Sequence, residues 1–102
     1  MILKNLQREA QLLRRHMKVL RVLKRKGPLG IRRISEETGI PPHQVRYSLR
    51  VLEREGALVP TPKGARLTDA VDTYIANLVQ ELGDLESLLA EVSKAARDLQ
   101  SS

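Results

Sequence analysis

Between His43 and Arg54 the chain reads HQVRYSLRVLER, a run of side chains suited to hydrogen-bonding a polyanion. At about 100° per residue of α-helix, His43, Tyr47, Arg50 and Arg54 share one face, with Gln44 and Arg46 on its flanks. Arginine offers a planar fork of donors, while glutamine, tyrosine and histidine add both donors and acceptors. Those groups match base edges and phosphates, and an α-helix has the width of a duplex major groove. Arg32 and Arg33 lie upstream, and Lys63 and Arg66 downstream, where they could touch a phosphate backbone.

Other chemistries find no support. His16 and His43 are the only histidines, no cysteine is present, and metals want three or four convergent ligands. Glu36 with Glu37, or Glu53 with Glu55, would diverge on a helix and read as solvated charges rather than an acid/base pair. No glycine-rich phosphate loop or nucleophile motif occurs. The expectation is no enzyme, no metal and no cofactor.

The reading face needs a scaffold, and Ile31 to Gly56 supplies one. Ile31 and Ile34 stand three apart in a short helical pattern with small Ser35 beside them and Glu36 and Glu37 facing outward. Gly39 ends that pattern as a positive-φ residue, Ile40 plugs the corner, and Pro41-Pro42 restarts the chain. Val45, Leu49 and Leu52 then form an apolar stripe opposite the polar face.

The spacing of Ser35, Gly39 and Val45 resembles a helix-turn-helix. The following LEREGALVPTPKGARLT looks like the third-helix end, wing hairpin and lead-out of the small prokaryotic and archaeal winged-helix transcriptional regulators. The resemblance covers about Leu20 to Thr68. It implies a third helix in the major groove carrying His43, Gln44, Arg46, Tyr47 and Arg50, with Arg32 and Arg33 near phosphate. It also implies Lys63 and Arg66 on a wing at the backbone or minor groove. Two residues depart from the family pattern: Pro41 lacks the hydroxyl usual at the third-helix N-cap, and Ser35 stands where alanine is commoner.

At 102 residues the chain is one domain with an appended element, and Leu, Ile and Val must fill a core that has no Phe or Trp. The absence of cysteine fits a reducing cytoplasm, and neither a signal-peptide core nor a membrane span is expected. Charge is segregated. Residues 1–66 hold 16 Lys and Arg against 5 Asp and Glu, a balance of +11; residues 67–102 hold 2 against 7, a balance of −5. A basic portion coinciding with the helix-turn-helix reads as a nucleic-acid footprint.

Helices are expected at both ends. From Ile2 to Lys26, Leu3, Leu6, Ala10, Leu13, Met17 and Leu20 recur at spacings of 3 and 4, widened by Leu12, Val19, Val22 and Leu23. Gly27-Pro28 stops this helix. Only Met17 to Leu23 is needed for a winged-helix core, so Leu3, Leu6 and Leu13 must be covered elsewhere. Pro28-Leu29-Gly30 is expected as a small third strand, Ala57 to Pro60 and Ala65 to Leu67 as the wing strands, and Thr61 to Gly64 as the turn. Thr68 is expected to cap a last helix of about 45 Å, with Asp69 and Asp72 in its first turn. Along it Val71, Ile75, Leu78, Leu82, Leu85, Leu89, Val92, Ala96 and Leu99 alternate 4 and 3, a heptad seam.

The expected fold is therefore mainly α: a winged helix-turn-helix with a β-hairpin wing, an extended N-terminal helix and a long C-terminal dimerisation helix. Its divisions fall at 1–68 and 69–102. The expected partner is double-stranded DNA, bound as a homodimer with Leu3, Leu6, Leu13, Val71, Ile75, Leu78, Leu82, Leu85, Leu89 and Val92 at the dimer interface. A weakly specific architectural DNA-binding protein, or a winged helix used for protein contacts, remain alternatives. Some relatives hold a small-molecule effector, although no motif here calls for one.

Overall fold

The computed structural model describes residues 2–102. Its elements are α1 (Lys4–Lys26), α2 (Ile31–Thr38), α3 (Pro42–Arg54), β1 (Leu58–Thr61), β2 (Gly64–Leu67) and α4 (Val71–Ser101). The chain divides after Val71 into two compact units.

In the first unit, α1, α2 and α3 pack on one another, β1 packs on α3 and β2 on α1. Val19, Leu20, Val22 and Leu23 of α1 meet Ile34, Ile40, Val45 and Leu52 in the core, closed by Ala57, Leu58 and Ala65. The apolar periodicity of each helix thus becomes one buried side, as amphipathic helices require. α1 starts at Lys4 rather than Ile2, with Leu3 as an N-cap that makes no side-chain hydrogen bond. Burial on α1 begins at His16, so its earlier turns extend past the core.

The α2–α3 corner is built from hydroxyls and one glycine. Gly39 adopts φ 76° and its N–H closes on the Ser35 carbonyl. Ser35 Oγ donates to the Ile40 carbonyl at 2.6 Å, and Thr38 Oγ1 donates to the Ile34 carbonyl at 2.7 Å while accepting from Ile40 N–H at 3.2 Å. Ser35 therefore has a bond that alanine could not make. Pro41 precedes α3 without a side-chain cap, as its chemistry dictates.

β1 and β2 pair antiparallel, Leu58 with Leu67 through Thr61 with Gly64. Pro60 costs no ladder bond, because its partner Ala65 gives both its N–H and its carbonyl to Leu29, which leaves Pro60 facing away from β2. The turn is shorter than expected, Pro62-Lys63 alone, because Thr61 and Gly64 already pair. Thr61 Oγ1 holds it, donating to the Gly64 carbonyl at 2.6 Å and accepting from Lys63 N–H at 3.1 Å. The expected third strand is reduced to one bridge, with Leu29 and Ala65 exchanging N–H bonds of 3.2 and 2.8 Å. Gly64, at φ 114°, lies so close to Leu29 that a Cβ there would overlap the Leu29 carbonyl.

α4 begins three residues after Thr68. Thr68 Oγ1 donates to the Gly56 carbonyl and accepts from Ala70 N–H, so it closes a turn before the helix instead of capping it. Asp69 consequently falls outside the helix and Asp72 inside its first turn. Taken alone, α4 has no buried residue, and Val79, Leu82, Leu85, Leu88, Leu89, Val92 and Leu99 are exposed.

Candidate nucleic-acid interface

α3 is fixed by Val45, Ser48 and Leu52, all at 0% exposure, and this orients everything on its far side. His43, Arg46, Tyr47, Arg50 and Arg54 are exposed there, and Gln44 is half-buried at the flank. Lys63 sits exposed at the hairpin tip, and Arg66, also exposed, turns Nη1 back to the Leu67 carbonyl at 3.2 Å. Arg32 and Arg33 are exposed at the start of α2.

Arg32 and Arg33 are not free cations. Arg32 pairs with Glu36 at 3.7 Å, and Arg33 reaches Glu36 at 3.9 Å and Glu37 at 3.6 Å. Such exposed pairs exchange easily with solvent or phosphate. Glu37 is exposed, as expected of a solvated charge, and it also holds a cross-helix ion pair. The Lys26 ammonium at the end of α1 lies 3.0 Å away. The hydrogen bond and charge of Lys26, with help from Arg33, hold the Glu37 carboxyl below its usual range. The cause is packing: the last turn of α1 stands beside the last turn of α2.

One feature of α3 went unseen in the sequence. His16 Nδ1 and Ser48 Oγ share a hydrogen bond of 2.8 Å between residues 32 apart, with His16 only 3% exposed. The His16 ring also stacks on Tyr47, centroids 6.5 Å apart and planes at 29°. Tyr47 is thus supported from behind by an imidazole while 47% of it stays exposed. The signal was present: His16 falls between Leu12 and Val19-Leu20, and Ser48 between Val45 and Leu52, each a polar residue inside an apolar stripe. A buried polar group needs a partner, and these two supply each other.

Burial, then the charge of Arg15, lowers the His16 pKa below 6.5. The neutral imidazole is therefore the folded form, and the unfolded chain takes up a proton that the folded chain resists. Stability is complete above pH 6.5 and declines as the pH drops toward the lowered value. The wild-type melting temperature should fall between pH 7.5 and 5.5, and His16→Gln should flatten that dependence. An equal slope in both proteins would show that His16 is not the group responsible.

Three helices with a hairpin folded against them define a winged helix-turn-helix domain, with α3 in the position of the recognition helix. Residues 12–59 match the winged helix-turn-helix DNA-binding family. No curated protein matches the chain. Among the described residues no three His, Asp or Glu side chains gather to hold a metal ion, and no helix is long and apolar enough to cross a membrane.

Proposed function

We propose that the chain is a homodimeric transcriptional regulator that binds double-stranded DNA sequence-specifically in the cytoplasm. The observation that carries this reading is the far side of α3. Arg46, Tyr47 and Arg50 are exposed opposite a fully buried stripe, inside a domain that matches a DNA-binding family. Arg50 and Tyr47 meet base edges in the major groove, with His43, Gln44 and Arg46 alongside. Lys63 and Arg66 meet the backbone or minor groove, and Arg32 and Arg33 the phosphates. Two copies join through Leu3, Leu6 and Leu13 of α1 and the seam Val71, Ile75, Leu78, Leu82, Leu85, Leu89 and Val92 of α4. Their recognition helices then reach successive major-groove turns about 34 Å apart. Bound near a promoter, such a dimer acts by occupancy.

Selection of sites from random duplex DNA with purified protein tests the proposal directly. Enrichment of a two-fold symmetric site supports it; recovery of random sequence overturns sequence specificity and leaves an architectural protein. Arg50→Ala should then cost about 1–3 kcal/mol of discrimination between the selected site and its single-base variants. Lys63→Ala should instead weaken all duplexes alike and lower the salt slope by about one contact per subunit. Wild-type discrimination in Arg50→Ala would mean that α3 does not read bases through this residue.

A further inference from the structure

α1 carries a second cationic surface that neither the recognition helix nor the wing accounts for. Arg14, Lys18, Arg21 and Arg25 stand at i, i+4, i+7 and i+11, on the side of α1 opposite the buried Val19, Leu20 and Leu23. All four are exposed. Among the described residues, none of them has an acidic partner within ion-pairing distance; the nearest carboxylate on this side, Glu37, is already taken by Lys26 and Arg33. Like charges at i, i+4 destabilise the helix that bears them, so this side repels itself with nothing built in to offset it.

The stripe borders the helix-turn-helix corner. One cleft is lined by Arg14, Arg15 and Lys18 of α1 together with Ile40 and Gln44. The next, sharing Lys18, is lined by Arg21 and Arg25 with Thr38. The cations therefore run on continuously from Gln44, at the start of the recognition helix. The eleven-residue span from Arg14 to Arg25 covers about 16 Å at ~1.5 Å per residue. Over that distance one strand of a duplex presents about five phosphates.

We propose that this side of α1 binds the sugar-phosphate backbone of the duplex that α3 reads, extending the footprint beyond α3 and the wing. The inference rests on the DNA-binding reading above. A phosphate strand fits better than an acidic protein because the four cations are regularly spaced, the one carboxylate lining their cleft, Glu37, is held by Lys26 and Arg33, and no exposed apolar side chain of the kind a protein contact would bury lies among them. The contact adds affinity and carries no sequence information.

The test uses the full chain with Arg14, Lys18, Arg21 and Arg25 all changed to Gln, against 30-base-pair selected and random duplexes and a single-stranded RNA of equal length. The slope of log affinity against log salt should fall by about three to four per subunit, at ~0.9 per phosphate lost. Affinity should drop at least about 10-fold for both duplexes, leaving their ratio unchanged. The paired variants Arg14→Gln/Lys18→Gln and Arg21→Gln/Arg25→Gln should each give about half the slope change, which secures the result if the quadruple variant folds poorly. Wild-type duplex slopes in these variants, beside an Arg50→Ala chain that still loses discrimination, overturn the stripe and keep the function. Loss confined to RNA overturns the duplex assignment. A wild-type chain that binds no duplex at any salt overturns both readings.

Discussion

A Leu82→Glu chain should sediment as a monomer at micromolar concentration, where the wild type should sediment as a dimer. α4 runs 31 residues without burying one, and Leu82, Leu85, Leu89 and Val92 remain between 36 and 57% exposed. Apolar side chains at alternating 4 and 3 spacings on a helix of this length are the pattern of a helix that pairs. Leu88 and Val79, exposed beside the seam, widen the stripe beyond the needs of a two-stranded coil. A carboxylate at the centre of that interface, buried and unpaired, costs several kcal/mol. The consequence reaches DNA, because two linked domains gain about 10²- to 10⁴-fold in avidity from engaging both half-sites. The variant should keep its base preference and lose that factor. A wild type that sediments as a monomer would remove the dimer from the proposal.

The second large effect is on stability. Leu52 is fully buried in the last turn of α3, the helix that packs on both α1 and α2 and on β1. Leu52→Ala should cost about 2–5 kcal/mol, through lost transfer energy and an unfilled cavity. No Phe or Trp is present to expand into the space, so the cost belongs in the upper part of that range. Small domains hold roughly 0.05–0.15 kcal/mol per residue, so a loss of this size leaves a large unfolded fraction. Urea titration measures it, and a loss below about 1 kcal/mol would mean that the core closes over the gap. Duplex binding should fall in step with folding, unlike Arg50→Ala, which should stay folded and lose discrimination.

How much of this was legible in the sequence depended on the range of the interaction. Gly39, the Ile34 and Val45–Leu52 stripes and the β1–β2 hairpin are local patterns, and each element stands where its own residues put it. Errors came at the ends. α4 starts at Val71 because Thr68 is drawn to the Gly56 carbonyl, a partner 12 residues back that no local rule weighs. The third strand shrank to one bridge because α1 ends at Lys26 and α2 begins at Ile31, which leaves a connection too short for a longer ladder. The Glu37–Lys26 ion pair was not foreseen because the two residues lie on different helices. The His16–Ser48 pair was missed for the same reason. Each residue alone looks like an interruption of its stripe, and only the packing of α1 on α3 makes them complementary. For the recognition surface, exposure of the expected polar face on α3 followed directly from the opposite stripe, whereas the stacking of Tyr47 on His16 did not.

The contact between Gly64 and Leu29 makes the hairpin unequal in what it can become. At its far end Pro62 and Lys63 are exposed and touch no core residue, so extra residues inserted there would lengthen the arm into solvent. Directly behind that turn, at Gly64, any side chain would have to push the Leu29 backbone away and break the bridge that ties the hairpin to the body. The length and charge of the turn are thus open to drift or redesign, while the start of β2 just behind it is locked against Leu29. Grafting a longer tip between Thr61 and Gly64 is accordingly the least disruptive way to give this domain a new footprint.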